Sequence, residues 1–364
     1  MTKKNEYFPQ SVPHPGLDLS EKLEELGMGP KEFAIRTHKP EKTITAILKG
    51  ESSITPDMAV QFENVTKIPA HFWTNRQRSY DEYAARIKRE MVIEDAIPWS
   101  KSFPINDMIK KEWLPKVSSS KEKAASLLSF FSISTHKAWE DYYFNRELKV
   151  AFRISLAYSR DPYSISAWLR KGDIQAFQII SNEYSEKFFR ASLPVLKELM
   201  AEHPSDFFKK LKEVCLNAGV KVVYTPCLPG SPISGATRWV NDNPLIQLSG
   251  RFKRNDSFWF TFFHEAGHIL LHGKKDIFLE NVKYNEFDKV KEKEADDFAV
   301  KCTLTVEQEK EILQIARLTH FEVIKYAEKF GTHPGIIIGR LHHLRKLPPS
   351  VGHKFIIPID LENA

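Results

Sequence analysis

The chain has 364 residues, 42% hydrophobic and 27% charged, ordinary proportions for a globular protein. One core rarely grows past ~250–300 residues, so at least two domains are expected. Three cysteines (Cys215, Cys227, Cys302), odd in number and without CxxC spacing, exclude a disulfide framework or a cysteine zinc site. A net charge of +6 spread along the length permits nucleic-acid contact without demanding it. No apolar run nears the ~18 residues of a membrane span, and MTKKNEYFPQ lacks an apolar leader, so a cytoplasmic chain with no membrane partner is expected.

Residues 16–83 read as short helices punctuated by Gly and Pro. Leu23 and Leu26 lie three apart in a first helix. Gly29-Pro30 opens a second, with Phe33, Ala34 and Ile35 expected inward. A turn at His38–Pro40 leads to a third helix, Glu41–Lys49, closed by Gly50 and striped with Ile44, Ile47 and Leu48. Thr55 caps a fourth helix with Pro56 at its first position. Two short helices joined by a tight turn suit entry of the second into a major groove. Lys31 to Lys49 carries a local excess of three positive charges. Lys42 and Thr43 are the base-reading candidates, Arg36 and Lys49 the phosphate candidates, and Glu41 a cytosine acceptor. The run KEFAIRTHKPEKTITAILKGESSITPDMAVQFENVTKIPAHFWTNRQ resembles the DNA-binding domain of XRE/Cro-type repressors, especially HigA-type antitoxins. The resemblance implies an operator-DNA partner and a homodimer. It departs at Thr37-His38-Lys39-Pro40, where such proteins usually carry a glycine-containing turn.

Residues 84–205 read as a helical middle region, with SISAWLRKGDIQAFQIISNEY as one stretch and Trp168 as packing. Residues 206–304 begin with the helix FFKKLKEVCLNAG. The β-patterned runs VKVVYTP, ISGATRWV and NPLIQLSG follow, separated by PCLPGSP and the NDNP turn. Then comes FWFTFFHEAGHILLHG. Residues 305–364 form a helical extension whose FIIPIDLENA end is either an edge strand or loose. The histidines of GRLHHLRK (His342, His343) and His353 are read as surface or domain contacts.

On a helix, His264 and His268 sit four apart and point the same way, so both imidazoles can grip one zinc ion per chain. Zinc lowers the pKa of water from ~15.7 to ~7. Glu265, beside the first histidine, is placed as the catalytic base. A catalytic zinc needs a third protein ligand. In KVKEKEADDFAVKC, Glu292, Ala295, Asp296 and Ala299 share one helical face, which favours Glu292 over its rival Glu294. Asp296 is expected to orient a ligand histidine through its other nitrogen. Burying two histidines and an acid unpaired costs several kcal/mol, which a metal offsets.

ISGATRWVNDNPLIQLSGRFKRNDSFWFTFFHEAGHILLHG together with EKEADDFA is similar to the ImmA/IrrE metallopeptidases, relatives of the thermolysin-like zincins. That family's zinc ligands and catalytic glutamate carry over to His264, His268, Glu292 and Glu265. The implied architecture is α+β and mostly helical. It has an N-terminal all-α helix-turn-helix domain, a helical middle region and a zincin-like domain with a small antiparallel sheet and the HExxH helix. The implied function is a DNA-binding regulator whose endopeptidase cleaves a repressor or antitoxin-like protein. The alternative is an antitoxin or repressor whose zinc domain senses or binds without cutting. His272, Arg238, Arg251 and Tyr284 remain candidates for the oxyanion donor. ISGATRWV or NPLIQLSG is expected to offer a substrate-binding sheet edge.

Overall fold

A computed structural model describes residues 11–147, 162–230, 233–272, 278–279, 286–315 and 318–361. The chain splits into two compact units, 1–95 and 96–364, so the division falls inside the stretch expected to be a middle region.

The first unit contains α1 (Pro15–Glu25), α2 (Pro30–Arg36), α3 (Glu41–Leu48), α4 (Pro56–Thr66) and α5 (Ala70–Asp95). Local chemistry sets the boundaries. The Thr55 hydroxyl accepts from Met58 N with Pro56 next in line, and Gly50 follows α3 at φ +75°. Leu19, Leu23, Phe33, Ile44, Ile47, Phe62 and Trp73 form the core, in which Phe62 packs edge-on to both Phe33 and Trp73. Each such large side chain contributes about 2–3 kcal/mol by burial. Two expectations fail here. Ile35 is 73% exposed, because three consecutive helical residues span ~200° and cannot all face one core. Leu26, expected within the first helix, instead follows its end and is exposed. Helix α5 is tied to the bundle by Arg76, whose guanidinium donates twice to Asp18 at 2.8 Å, and by Gln77, which accepts from Ile54 N. It then runs unbroken past residue 83.

The second unit begins with α6 (Ile97–Ser100), α7 (Ile105–Lys110), α8 (Ser120–Phe131) and α9 (His136–Trp139), the last continuing as a π-helical stretch Glu140–Glu147. Next come α10 (Pro162–Phe177), α11 (Glu186–Glu202) and α12 (Phe207–Asn217). A sheet follows, built from β1 (Lys221–Tyr224), β2 (Gly235–Val240), β3 (Asn243–Leu248) and the short β4 (Phe278–Leu279) in the order β1-β3-β2-β4. Helix α13 (Asn255–Leu271) lies between β3 and β4 in the chain. After β4 come α14 (Glu286–Thr303), α15 (Val306–Leu313), α16 (His320–Phe330) and α17 (Pro334–His343). Among the described residues no helix is long and apolar enough to cross a membrane.

The sheet is mixed, not antiparallel as expected. The β2–β3 hairpin turns through Asn241 and Asp242, both at positive φ, as a two-residue hairpin requires. That turn returns β3 to the middle, where it runs parallel to β1. NPLIQLSG therefore lies inside the sheet and has no edge to offer. Of the two proposed runs, ISGATRWV lies on the outer side, paired to β4 among the described residues at Ala236 and Thr237.

Strand alternation sends side chains to two faces. On one face, α10 is pinned by Trp168 Nε1 donating to Thr225 O at 2.8 Å and Gln247 Nε2 donating to Trp168 O at 2.7 Å. On the other, Val222, Ile246 and Leu248 meet Phe208, Phe258, Trp259, Phe262 and Phe263 of α12 and α13. Helix α13 is apolar nearly all round because it is the buried centre of the unit. The described part of the C-terminal run, residues 355–361, is neither a sheet edge nor loose, and residues 362–364 lie outside the described residues. Pro358 bridges to Arg254, Ile357 N donates to Asn255 Oδ1, and Ile359 and Leu361 enter the core beside the start of α13.

Candidate functional site

His264 and His268, one turn apart on α13, are each 2% exposed. Their Nε2 atoms lie 3.0 Å apart. Glu292, from α14, presents its carboxylate oxygens 3.3 Å from His264 Nε2 and 3.4 Å from His268 Nε2. A small residue lets the helices come this close. A Cβ on Gly267 would sit 3.2 Å from Ala295 Cα and from Phe298 Cβ. An ion held tetrahedrally about 2.0–2.2 Å from each of three donors sets those donors about 3.3–3.6 Å apart. The two histidine and one carboxylate donors suit zinc, and both histidine–carboxylate distances fall in that range, while the two Nε2 atoms stand slightly closer than it. Glu292 Oε1, buried and without a hydrogen-bond partner among the described residues, is the sort of atom an ion satisfies. Among the described residues this is the one group of three such side chains that could share an ion.

The outer nitrogens are also engaged. His264 Nδ1 lies 2.9 Å from Asp296 Oδ1, and His268 Nδ1 lies 3.0 Å from His272 Nδ1. His272 Nε2 in turn lies 3.0 Å from Glu294 Oε2. Glu294 thus meets His272, while Glu292 meets the paired Nε2 atoms. One tautomer assignment satisfies this chain: both ligand-candidate histidines are protonated at Nδ1, and both Nε2 lone pairs face inward. Burial pulls His264 downward, but hydrogen bonds to Asp296 and Glu292 outweigh it and hold its pKa well above the ordinary value. Burial, with His264 and His272 alongside, pushes His268 far down. Without an ion, a proton on His264 serves the carboxylates, and metal binding must displace it.

Glu265 is fully buried. Thr237 on β2 donates its hydroxyl to Glu265 Oε2 at 2.6 Å. Gly235, two residues earlier on the same face, leaves room for the other oxygen, since a Cβ there would lie 2.5 Å from Glu265 Oε1. Sequence reasoning missed both residues. The signal for Gly235 was a glycine inside a β-patterned run, which marks a close approach.

The oxyanion candidates fall differently. Arg238 neighbours Thr237 but turns to the opposite face of the sheet, where Asp173 and Leu169 O bind it. Arg251 lies over the Phe252 ring. His272 stands behind His268, between it and Glu294. Tyr284 lies outside the described residues.

In the first unit Arg36, Glu41, Lys42 and Lys49 are exposed and Thr43 is half-buried. Arg36 pairs with Glu32 at 2.6 Å on the surface, a contact worth little against a phosphate. Lys39 reaches Asp57 at 2.8 Å. His38 takes the left-handed conformation at φ +52° within the stretch where such proteins usually carry a glycine-containing turn, and α3 begins after it with Glu41 and Lys42 exposed.

An HTH-type transcriptional regulator from Escherichia coli K12, YddM, is 31% identical over 68 residues, which is 19% of this chain and 72% of that protein. The chain belongs to the HTH-type transcriptional regulators. Residues 215–342 match the Peptidase_M78 family, the IrrE N-terminal-like domain, so the regulator is fused to an IrrE/ImmA domain. That match runs on through α17, beyond residue 304. Among solved structures, an addiction-module antidote protein of the HigA family from Coxiella burnetii is similar at 34% identity. It covers 24% of this chain and 95% of its own, at a TM-score of 0.22. The Pseudomonas aeruginosa antitoxin HigA, solved with the higBA promoter, is similar at 28% identity, covering 23% and 94%, at a TM-score of 0.22.

Proposed function

We propose that this regulator is a zinc-dependent endopeptidase that binds operator DNA through its first unit and cleaves a repressor or antitoxin-like protein with its second. The observation that carries the reading is the meeting of His264, His268 and Glu292 beside a buried Glu265 held by Thr237. Zinc bound there supplies Lewis-acid polarisation of a carbonyl and brings the pKa of water to ~7. Asp296 and His272 orient the ligand imidazoles through Nδ1. Thr237 fixes one Glu265 oxygen, and Gly235 leaves space for the other. Glu265 accepts the proton of the attacking water and delivers it to the leaving amine nitrogen. In the first unit, Lys42 and Thr43 read bases, Glu41 accepts from a cytosine, and Arg36 and Lys49 hold phosphates, with two copies on a two-fold operator.

The test is metal analysis of the full chain beside Glu265→Gln, followed by a proteome-wide search for new protein N-termini. About one zinc per chain in both proteins, with new N-termini from the wild type alone, is the expected outcome. Zinc in both with no new N-termini supports the second reading, a regulator whose metal domain senses or binds. Well-folded wild type that takes up no zinc overturns both.

A further inference from the structure

The outer edge of β1 lies on the far side of the sheet order from β2 and the candidate metal centre. It floors an open groove of about 890 Å³ walled by the end of α7, by α10 and by α12. Three features of this groove converge. The first is charge: Lys110, Lys111, Lys171 and Lys212 line it, against Asp107 and Glu112. Asp107 already pairs with Lys110, whereas among the described residues no carboxylate pairs with Lys111, Lys171 or Lys212. The second is desolvation. Lys171 is partly buried, and burial lowers its pKa, so its ammonium lacks both full hydration and a counter-charge. Lys212 rests its ammonium 4.6 Å from the centre of the Phe208 ring.

The third is the backbone. In a parallel pair a residue's N–H and C=O turn to the same side, and neighbours alternate. Thr225 N donates to Leu248 O, so Val223 also turns inward to β3, while Val222 and Tyr224 turn outward. Tyr224 O agrees, since it accepts from Gln175 Nε2 on the outer side. Val222 therefore directs a main-chain donor and acceptor into a groove ringed by unpaired ammonium groups.

We propose that this groove docks an acidic protein segment in extended conformation, which pairs its main chain with Val222 and sets its carboxylates against Lys111, Lys171 and Lys212. Strand addition supplies register, and the lysines supply selectivity for acidic sequence. A small anion would use the lysines but not the strand edge, and a nucleic acid would not need the apolar, hydrogen-bonding floor. The site does not depend on the metal centre being catalytic.

The probe is a fluorescein-labelled octapeptide alternating Glu with Val and Thr, titrated by anisotropy against the full-length protein at low salt. A Lys-for-Glu peptide, inorganic phosphate and a labelled oligo(dT) serve as comparisons. The expected result is saturable binding of the acidic peptide alone, weakened at least tenfold in Lys171→Glu/Lys212→Glu and in Val222→Pro. Lys111→Glu, at the end of α7 and away from the core, weakens it measurably and guards against a misfolded double variant. No saturable binding of the acidic peptide, binding untouched by Lys111→Glu, displacement by phosphate, or oligo(dT) binding with the same lysine dependence each overturns the proposal.

Discussion

Replacing Asp173 with alanine should destabilise the second unit by about 3 kcal/mol. Arg238 is nearly buried, with a side chain 7% exposed, and its Nε and Nη2 donate to Asp173 Oδ1 at 2.7–2.8 Å. Nη2 also donates to Leu169 O, and Nη1 is buried with no partner among the described residues. Removing the carboxylate leaves that guanidinium charged and uncompensated, a change that costs about 3–5 kcal/mol for a buried pair. Asp173 is 25% exposed, so water recovers part of the loss and the lower end applies. Arg238→Met removes the buried charge instead and leaves a carboxylate that water can reach, at about 1–2 kcal/mol. The double variant Asp173→Leu/Arg238→Met should therefore be less harmful than the sum, with a coupling of about 2 kcal/mol. Urea unfolding of the full chain at pH 7, followed by tryptophan fluorescence and far-UV circular dichroism, measures all three. A cost below 0.5 kcal/mol for Asp173→Ala, or strict additivity, would refute the view that this pair clamps α10 to the back of β2 and so steadies Thr237 on the front.

Thr237→Val should keep zinc but slow cleavage by about 10–100-fold, while Thr237→Ser stays near wild type; equal rates in both would show that the hydroxyl does not position Glu265. Burial, with the His333 charge, pushes His203 down to about 4, so between that value and the ordinary 6.5 the unfolded chain takes up the proton more readily than the folded one. Stability should accordingly fall as pH drops from 7 to 5, by about 1 kcal/mol from this group after allowing for its solvent access, and His203→Gln should lose that share in parallel denaturation curves. Lys49→Ala should weaken binding to promoter DNA evenly across sequences and reduce the salt slope by about 0.9, whereas Lys42→Ala should relax base preference as well; identical profiles would remove the distinction between the two lysines.

Much of the first unit was legible because its signals are local. Thr55-Pro56, Gly50 and the Ile44/Ile47 stripe each act within a turn or two of chain. Ile35 misled because hydrophobicity alone does not say which of three consecutive residues turns outward. In the second unit, helical spacing put His264 and His268 together and put Glu292 on the small-residue face of its helix. It did not disclose that Glu294 would meet His272, since that contact depends on how α14 lies across α13. Thr237 and Gly235 were hidden for the same reason: their partner is 28 residues away for Thr237 and reaches them only through tertiary packing. The parallel β1–β3 pair escaped because adjacent runs suggest hairpins, whereas this chain passes over one strand position before turning back.

The bridge between Arg254 and Pro358 also bears on the order in which the molecule can be completed during synthesis. The helix-turn-helix unit closes on itself within residues 1–95. The second unit closes later, because Asn255, at the head of the histidine-bearing helix, donates its backbone N–H to Ile357 O. At ~5–20 residues per second, the ribosome needs roughly 13–50 s to travel from residue 95 to residue 357. Throughout that interval a nascent chain carries a finished helix-turn-helix and a second unit that still lacks its last backbone bridge. Until residue 357 has been made, the head of the histidine-bearing helix therefore lacks the backbone partner that the folded unit gives it.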